Sequence, residues 1–169
     1  MESKAYPQTP GYPQQPYQQQ PQAQPPMMAS AGGNRNAKNQ PMGPDGREWS
    51  NGICDCCNEP GTCIKAWCCP CIVYASNKQR LEHLERNGAP DPEHGGGCCS
   101  GPCCLHASIL LCFGAGFVLQ FLQRGDTRKR YNIKGGMCGD CCTSFWCSPC
   151  DLTQEHQEIE LEEKSFGGR

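Results

Sequence analysis

Cys63-Ile64-Lys65-Ala66-Trp67-Cys68-Cys69-Pro70-Cys71 returns later in the chain as Cys142-Thr143-Ser144-Phe145-Trp146-Cys147-Ser148-Pro149-Cys150. Both stretches read Cys-x-x-x-Trp-Cys-x-Pro-Cys, with five of nine positions identical. An identity that includes both Trp and both Pro exceeds what cysteine content alone produces, so the pattern reads as an internal duplication. Each copy leads into a polar helix. After the first, residues 72–87 predict a helix with Lys78, Arg80, Glu82, Glu85 and Arg86 on a wet face and Gly88 as its stop. After the second, Asp151 is an N-cap with Gln154 three residues on, and the helix continues through Glu155, Glu158, Glu160, Glu162 and Glu163. The acidic run is expected to be a solvated face. The fold class expected is a small Cys-rich, mainly α protein: two knuckle-plus-helix repeats around a central apolar helix, with a disordered N-terminal arm.

Composition supports a scaffold held by cysteine. The chain has 169 residues, a hydrophobic share of 37% and a formal charge of -2, and its mean hydropathy is -0.66. All 17 cysteines lie between Cys54 and Cys150, where roughly one residue in six is Cys, far above ordinary usage. Small chains that bury little apolar surface substitute disulfides or metals for it. The charge excludes a dedicated nucleic-acid binder, which needs a strong basic excess.

Residues 1–46 repeat Pro and Gln, as in Tyr6-Pro7-Gln8-Thr9-Pro10, without apolar periodicity. They are expected to form a disordered arm of polyproline-II character, and the Pro-x-x-Pro spacings suit an SH3-type partner. No charged n-region precedes an apolar h-region, so no cleaved signal peptide is expected. The Cys-rich domain is then 47–165, with repeat one at 54–88, the apolar helix at 105–122 and repeat two at 138–164.

Cysteines on the reducing side of a membrane lean towards metal rather than disulfides. Four Cys-x-x-Cys pairs are present: Cys54/Cys57, Cys68/Cys71, Cys138/Cys141 and Cys147/Cys150. A two-residue gap lets both thiolates of a tight turn face one ion, and two such turns complete a tetrahedral site, with zinc the natural occupant. Cys63, Cys69 and Cys142 complete the candidate ligand set. Duplicated units should pack on one another, which places Cys68, Cys71, Cys147 and Cys150 at a shared centre.

The run over residues 105–122, from Leu105 to Leu122, carries no formal charge. As one helix it would be about 27 Å long, just short of a hydrocarbon core of roughly 30 Å. It reads equally as a membrane helix or a helix buried in the protein. Arg124, Arg128, Lys129, Arg130 and Lys134 follow it and read as a basic anchor to anionic lipid. Cys98, Cys99, Cys103 and Cys104, just ahead of the run, are candidates for S-acylation.

Trp49-Ser50-Asn51-Gly52-Ile53-Cys54-Asp55-Cys56-Cys57, followed by Cys63 and Cys68-Cys69-Pro70-Cys71, resembles the opening of the placenta-specific-eight family. That family includes cornifelin, the plant cadmium-resistance proteins and the fruit-weight cell-number regulators. Its closing motif is matched by Arg128-Lys129-Arg130-Tyr131-Asn132-Ile133, Cys138-Gly139-Asp140-Cys141-Cys142 and Cys147-Ser148-Pro149-Cys150-Asp151-Leu152-Thr153-Gln154-Glu155. The resemblance implies a membrane-associated eukaryotic protein at the plasma membrane with a cytoplasmic arm. It also implies export of cadmium and zinc dependent on the segment Cys69-Pro70-Cys71.

Two functions follow from these readings. In one, the protein binds or helps export soft divalent metals, because thiolates prefer zinc-like and softer ions. In the other, the cysteines only hold the fold, while helices and arm recruit partners in growth or cell-number control, with a homo-oligomer allowed. Redox exchange by paired thiols is the weakest reading, since no strand pattern precedes either pair. No nucleophile–base set or phosphate loop is present, which argues against an enzyme.

Overall fold

The computed structural model describes residues 32–167. Most of the arm, and any SH3-type motif in residues 1–31, lies outside them. The described chain is mainly helical: a 3-10 helix Ile53–Asn58, then α1 (Pro60–Cys68), α2 (Pro70–Asn87), α3 (Gly101–Phe113), α4 (Gly116–Tyr131), α5 (Met137–Trp146) and α6 (Ser148–Phe166).

Proline sets two sharp corners. The helix pair α1/α2 turns at Cys69 (φ -138, ψ 69), and α5/α6 turns at Cys147 (φ -138, ψ 56). In each the junction N–H bonds back to the preceding helix, Cys69 to Lys65 O at 2.7 Å and Cys147 to Thr143 O at 2.9 Å. Pro70 opens α2 directly, where its missing N–H costs nothing and the residue before it is driven out of the helical region. Pro149 is the second residue of α6, so the corner falls one position earlier than the sequence repeat implies. Gly88 ends α2 in the left-handed region, as expected, with its N–H on Leu84 O at 3.1 Å.

The expected apolar helix over 105–122 is not continuous. Gly114 (φ 63, ψ 14) closes α3 with its N–H on Leu110 O at 2.9 Å, and α4 starts anew at Gly116. A left-handed glycine is the common helix stop, and here it turns the run into a hairpin. A Cβ on Gly116 would lie 3.1 Å from Leu110 and 3.2 Å from His106, so the glycine lets the two arms close. Among the described residues no helix is long and apolar enough to cross a membrane.

α6 is the hub, contacting α1, α2, α4, α5 and the 3-10 helix. Its acidic run is not a solvated face: Asp151, Glu155, Glu158 and Glu162 are buried. Arginines from three other parts of the chain meet it. Arg47 reaches Glu158 at 2.5 Å, Arg80 reaches Glu163 at 2.5 Å, Arg124 reaches Asp151 at 2.7 Å, and Arg130 reaches Glu162 at 2.7 Å. Arg128 holds Asp140 of α5 at 2.5 Å. Buried charge survives only when paired in this way. Most of the basic anchor is therefore spent inside the protein. Of its five members Arg124, Arg128 and Arg130 are committed to these pairs, whereas Lys129 and Lys134 stay at the surface beside Asp126 and Glu48. Glu155 has no arginine. Gln123 Nε2 donates to its Oε2 at 2.8 Å, and burial, then the neighbouring Asp151, pushes its carboxyl well above the usual range.

Two small apolar clusters complete the interior. Leu81, Leu84, Tyr131, Ile133 and Ile159 pack with Trp49 and Phe166, while Ala66, Val73, Tyr74 and Leu152 pack with Leu119. The chain ahead of the family motifs is strapped down as well. Residues 32–46, assigned above to the arm, include Asn34, whose N–H bonds Ser165 Oγ at 2.7 Å, and Arg35, 3.9 Å from Glu162. Gly46 (φ +117) passes so close to Asn132 that a Cβ would sit 2.5 Å from its carbonyl oxygen, which lets Arg47 bridge to Ile133.

Candidate metal-binding site and apolar face

The Cys147 corner places two thiols at the start of α6. Cys147 is its N-cap and Cys150 lies in its first turn, and the two are joined as a disulfide with Cα atoms 5.4 Å apart. Against them sits the 3-10 helix, docked on α6 by Gln157 Nε2, which donates to Asp55 O at 3.3 Å. This docking brings Cys56 Sγ to 3.8 Å from Cys150 Sγ. Cys63 of α1 lies near Cys56, and burial followed by this neighbour pushes the Cys56 thiol up. Sulfurs of the 3-10 helix and α6 thus come into contact, with Cys63 of α1 nearby. Zinc–sulfur bonds of about 2.3 Å give a tetrahedron whose edge is about 3.8 Å, the spacing found between Cys56 and Cys150.

Cys56 is missing from the sequence-derived ligand set, because pairing by Cys-x-x-Cys assigns Cys54 to Cys57 and leaves it between them. Its partner is 94 residues away, and local spacing carries no signal of it.

The other candidates scatter. Cys54 and Cys57 point outward, as do Cys68, Cys69, Cys138 and Cys142; Cys71 and Cys141 are half-buried. Cys71 does not join Cys150 at a common centre. It meets Cys103 of α3, whose thiol is pushed up to about 11 by burial and then by Cys71. Cys103 is buried and so is unlike Cys98, Cys99 and Cys104, which remain exposed. Near this contact His106 is fully buried, stacked on Tyr74 with centroids 4.7 Å apart, and burial lowers it to about 4.

A second cluster was not anticipated. Glu59, His156 and Glu160 bring one ligand atom each within 4.8 Å of one another. His156 and Glu160 are one turn apart on α6, a spacing visible in sequence, but Glu59 arrives from the start of α1. Burial, aided by Arg80, lowers His156 to about 4, so its ring is neutral. The donors are hard and borderline, and Lys164 already contacts Glu160 at 2.9 Å. It is not the place for a soft ion.

One stretch of the chain is inverted in character. Residues 95–123 contain no Asp, Glu, Lys or Arg. Leu111 and Phe113 at the hairpin tip are 83% and 81% exposed, and Trp67 and Trp146 at the ends of α1 and α5 are 77% and 81% exposed. Phe117 and Phe145 meet edge to face at 5.2 Å, Phe145 meets Trp146 likewise, and Ala66 shares its cluster with Leu119 and Leu152. The hairpin tip and the two corners therefore lie at one end.

A profile described as the PLAC8 family matches residues 49–158. Protein PLANT CADMIUM RESISTANCE 2 of Arabidopsis thaliana is 34% identical over 113 residues, covering 67% of this chain and 67% of the relative. Protein PLANT CADMIUM RESISTANCE 1 of the same plant is 34% identical over 113 residues, covering 67% and 68%. Cell number regulator 11 of Zea mays is 29% identical over 116 residues, covering 67% of this chain and 63% of the relative. No solved structure matches the chain.

Proposed function

The chain belongs to the PLAC8 family, and from that membership we propose that it binds soft divalent ions such as zinc or cadmium and helps to export them, seated on a membrane. The observation that carries the reading is the approach of Cys56 to Cys150 of the Cys147/Cys150 pair at thiolate-site spacing, with Cys63 nearby. In the reduced protein these four residues hold the ion, and exposed Cys69 at the α1/α2 corner offers a thiolate through which it is handed on. Nothing in this scheme requires a catalytic step.

The membrane seat rests on the exposed apolar end. An uncharged hairpin tip with Trp67 and Trp146 beside it has the composition of an in-plane anchor, apolar body in the acyl region and indoles at the headgroups. This replaces the spanning helix. Exposed Cys98, Cys99 and Cys104 supply acylation sites ahead of the same hairpin.

The test is native mass spectrometry of full-length reduced protein loaded with zinc or cadmium. Cys56→Ser is expected to lose one bound ion relative to wild type, whereas Cys112→Ser, at the exposed hairpin tip, retains it. Equal ion counts for Cys56→Ser and wild type would refute the site. A scaffold role is the second reading, favoured by the Cys147–Cys150 disulfide and by the Zea mays relatives named for cell number. With the cysteines held as disulfides, it predicts no ion bound by wild type in the same measurement.

A further inference from the structure

The chain contains five Cys-Cys dipeptides. Four lie inside helices or at the α1/α2 corner, where adjacent side chains diverge and do not face one another. Cys98-Cys99 is different. It sits in a turn between Gly97 and Ser100, the N-cap of α3, and its two exposed sulfurs lie 4.0 Å apart. A third thiol stands close by. The Cys104 N–H donates to Ser100 O at 3.0 Å, so Cys104 lies one helical turn above the residue that follows Cys99, and it too is exposed. We propose that Cys98 and Cys99, with Cys104 as third ligand, form a capture site for trivalent arsenic, taken up as arsenite.

The reach suits one central atom. Two bonds of zinc–thiolate length, about 2.3 Å, span sulfurs up to about 4.6 Å apart, so a single atom closes the pair at 4.0 Å by side-chain rotation alone. Arsenous acid carries three As–OH groups. In each step a sulfur forms an As–S bond, an As–O bond breaks, and the hydroxyl leaves as water with the thiol's proton. Arsenic stays trivalent, no electrons are exchanged and no co-reactant is consumed.

Three features favour this ligand over the zinc-like ions proposed for the Cys56 site. Trivalent arsenic completes its coordination with three sulfurs, whereas a closed zinc site takes four, and the next thiol, Cys103, is buried. Its product with three thiols carries no charge, while a divalent ion on three thiolates leaves one negative charge in a stretch, residues 95–123, that has no Lys or Arg. Divalent ions also need their ligands deprotonated. The hydrogen bond with Cys98 pushes the Cys99 thiol up, which handicaps a divalent ion but not arsenite, because the proton departs in the water. Acylation of these cysteines removes the thiols, so an acylated copy binds no arsenic.

The experiment uses reduced full-length protein made in bacteria, titrated with sodium arsenite and read by native mass spectrometry. The first equivalent is expected to add one arsenic with the loss of three protein hydrogens. Alkylation followed by tryptic digestion then maps it: peptide 87–124, with Cys98, Cys99, Cys103, Cys104 and Cys112, is expected to show Cys98, Cys99 and Cys104 protected. Cys98→Ser and Cys99→Ser are each expected to weaken arsenite binding about a hundredfold or more, the scale of losing a tethered second ligand. Cys104→Ser is expected to bind with the loss of two hydrogens and one hydroxyl kept on arsenic, and Cys112→Ser to match wild type. Circular dichroism checks that each variant keeps its helices. A first equivalent that survives in Cys98→Ser/Cys99→Ser, protection that falls on cysteines outside 98–104, or displacement of the arsenic by an equal amount of cadmium overturns the proposal. The site at Cys56 is separate: Cys56→Ser is expected to keep the first arsenic and Cys98→Ser/Cys99→Ser to keep zinc, so failure of either reading leaves the other measurable.

Discussion

Glu158→Ala is expected to cost the fold about 3–5 kcal/mol, the usual penalty for removing one partner of a buried ion pair. The magnitude follows from what Glu158 holds. Its Oε1 receives Arg47 Nη2 at 2.5 Å and Ser50 Oγ at 2.8 Å, and its Oε2 receives the Ser50 N–H at 3.0 Å. Arg47 is fully buried, so alanine strands a guanidinium with no water to replace the carboxylate. Arg47 keeps the carbonyls of Tyr131, Glu48 and Arg35, which is why the loss stays within that range rather than matching a naked buried charge. Lys164→Ala on the same helix breaks only the exposed pair with Glu160, and such pairs are worth about 0.3–0.5 kcal/mol. Urea unfolding in mild detergent, followed by circular dichroism, compares the two. If both variants cost less than about 1 kcal/mol, α6 is a solvated helix and the buried lattice is wrong.

Three further outcomes are expected. Leu111→Asp with Phe113→Asp should leave helicity intact but reduce binding to phosphatidylcholine vesicles about a hundredfold or more, since each side chain is worth about 1.5–3 kcal/mol on burial; unchanged co-sedimentation removes the hairpin seat. Gly46→Ala should lower the unfolding midpoint, because φ +117 and the approach to Asn132 leave no room for a methyl group; an unchanged midpoint counts against that contact. His106 has its folded value lowered to about 4 from 6.5, so the unfolded chain binds more protons in that window. Its contribution is present above about pH 6.5 and is lost as pH falls towards 4, and His106→Gln should flatten the fall in stability over this interval; an identical pH profile would show that the ring is not held neutral.

The corners, the stop at Gly88 and the family motifs were legible because each depends on residues within a few positions of one another. Pro70 and Pro149 act on their own turns. Gly114 was equally local, and its reading as part of one apolar helix came from weighing charge over the backbone freedom of glycine. Cys56 was not legible, since its neighbour Cys150 arrives by tertiary docking of the 3-10 helix.

The direction α6 faces was decided only in three dimensions. Sequence by itself determined a helix running through Glu163, though it placed the N-cap at Asp151 where the structure has Cys147, and periodicity names the buried face only when one face is apolar. Here several faces are polar. Arg47, Arg80, Arg124 and Arg130 come from separate segments and neutralise that helix only once the chain has folded. The same pairing took the arginines away from the exposed apolar end and left it to Leu111, Phe113, Trp67 and Trp146. A charge can be buried only beside its counter-charge, and which counter-charge that is depends on contacts between distant parts of the chain.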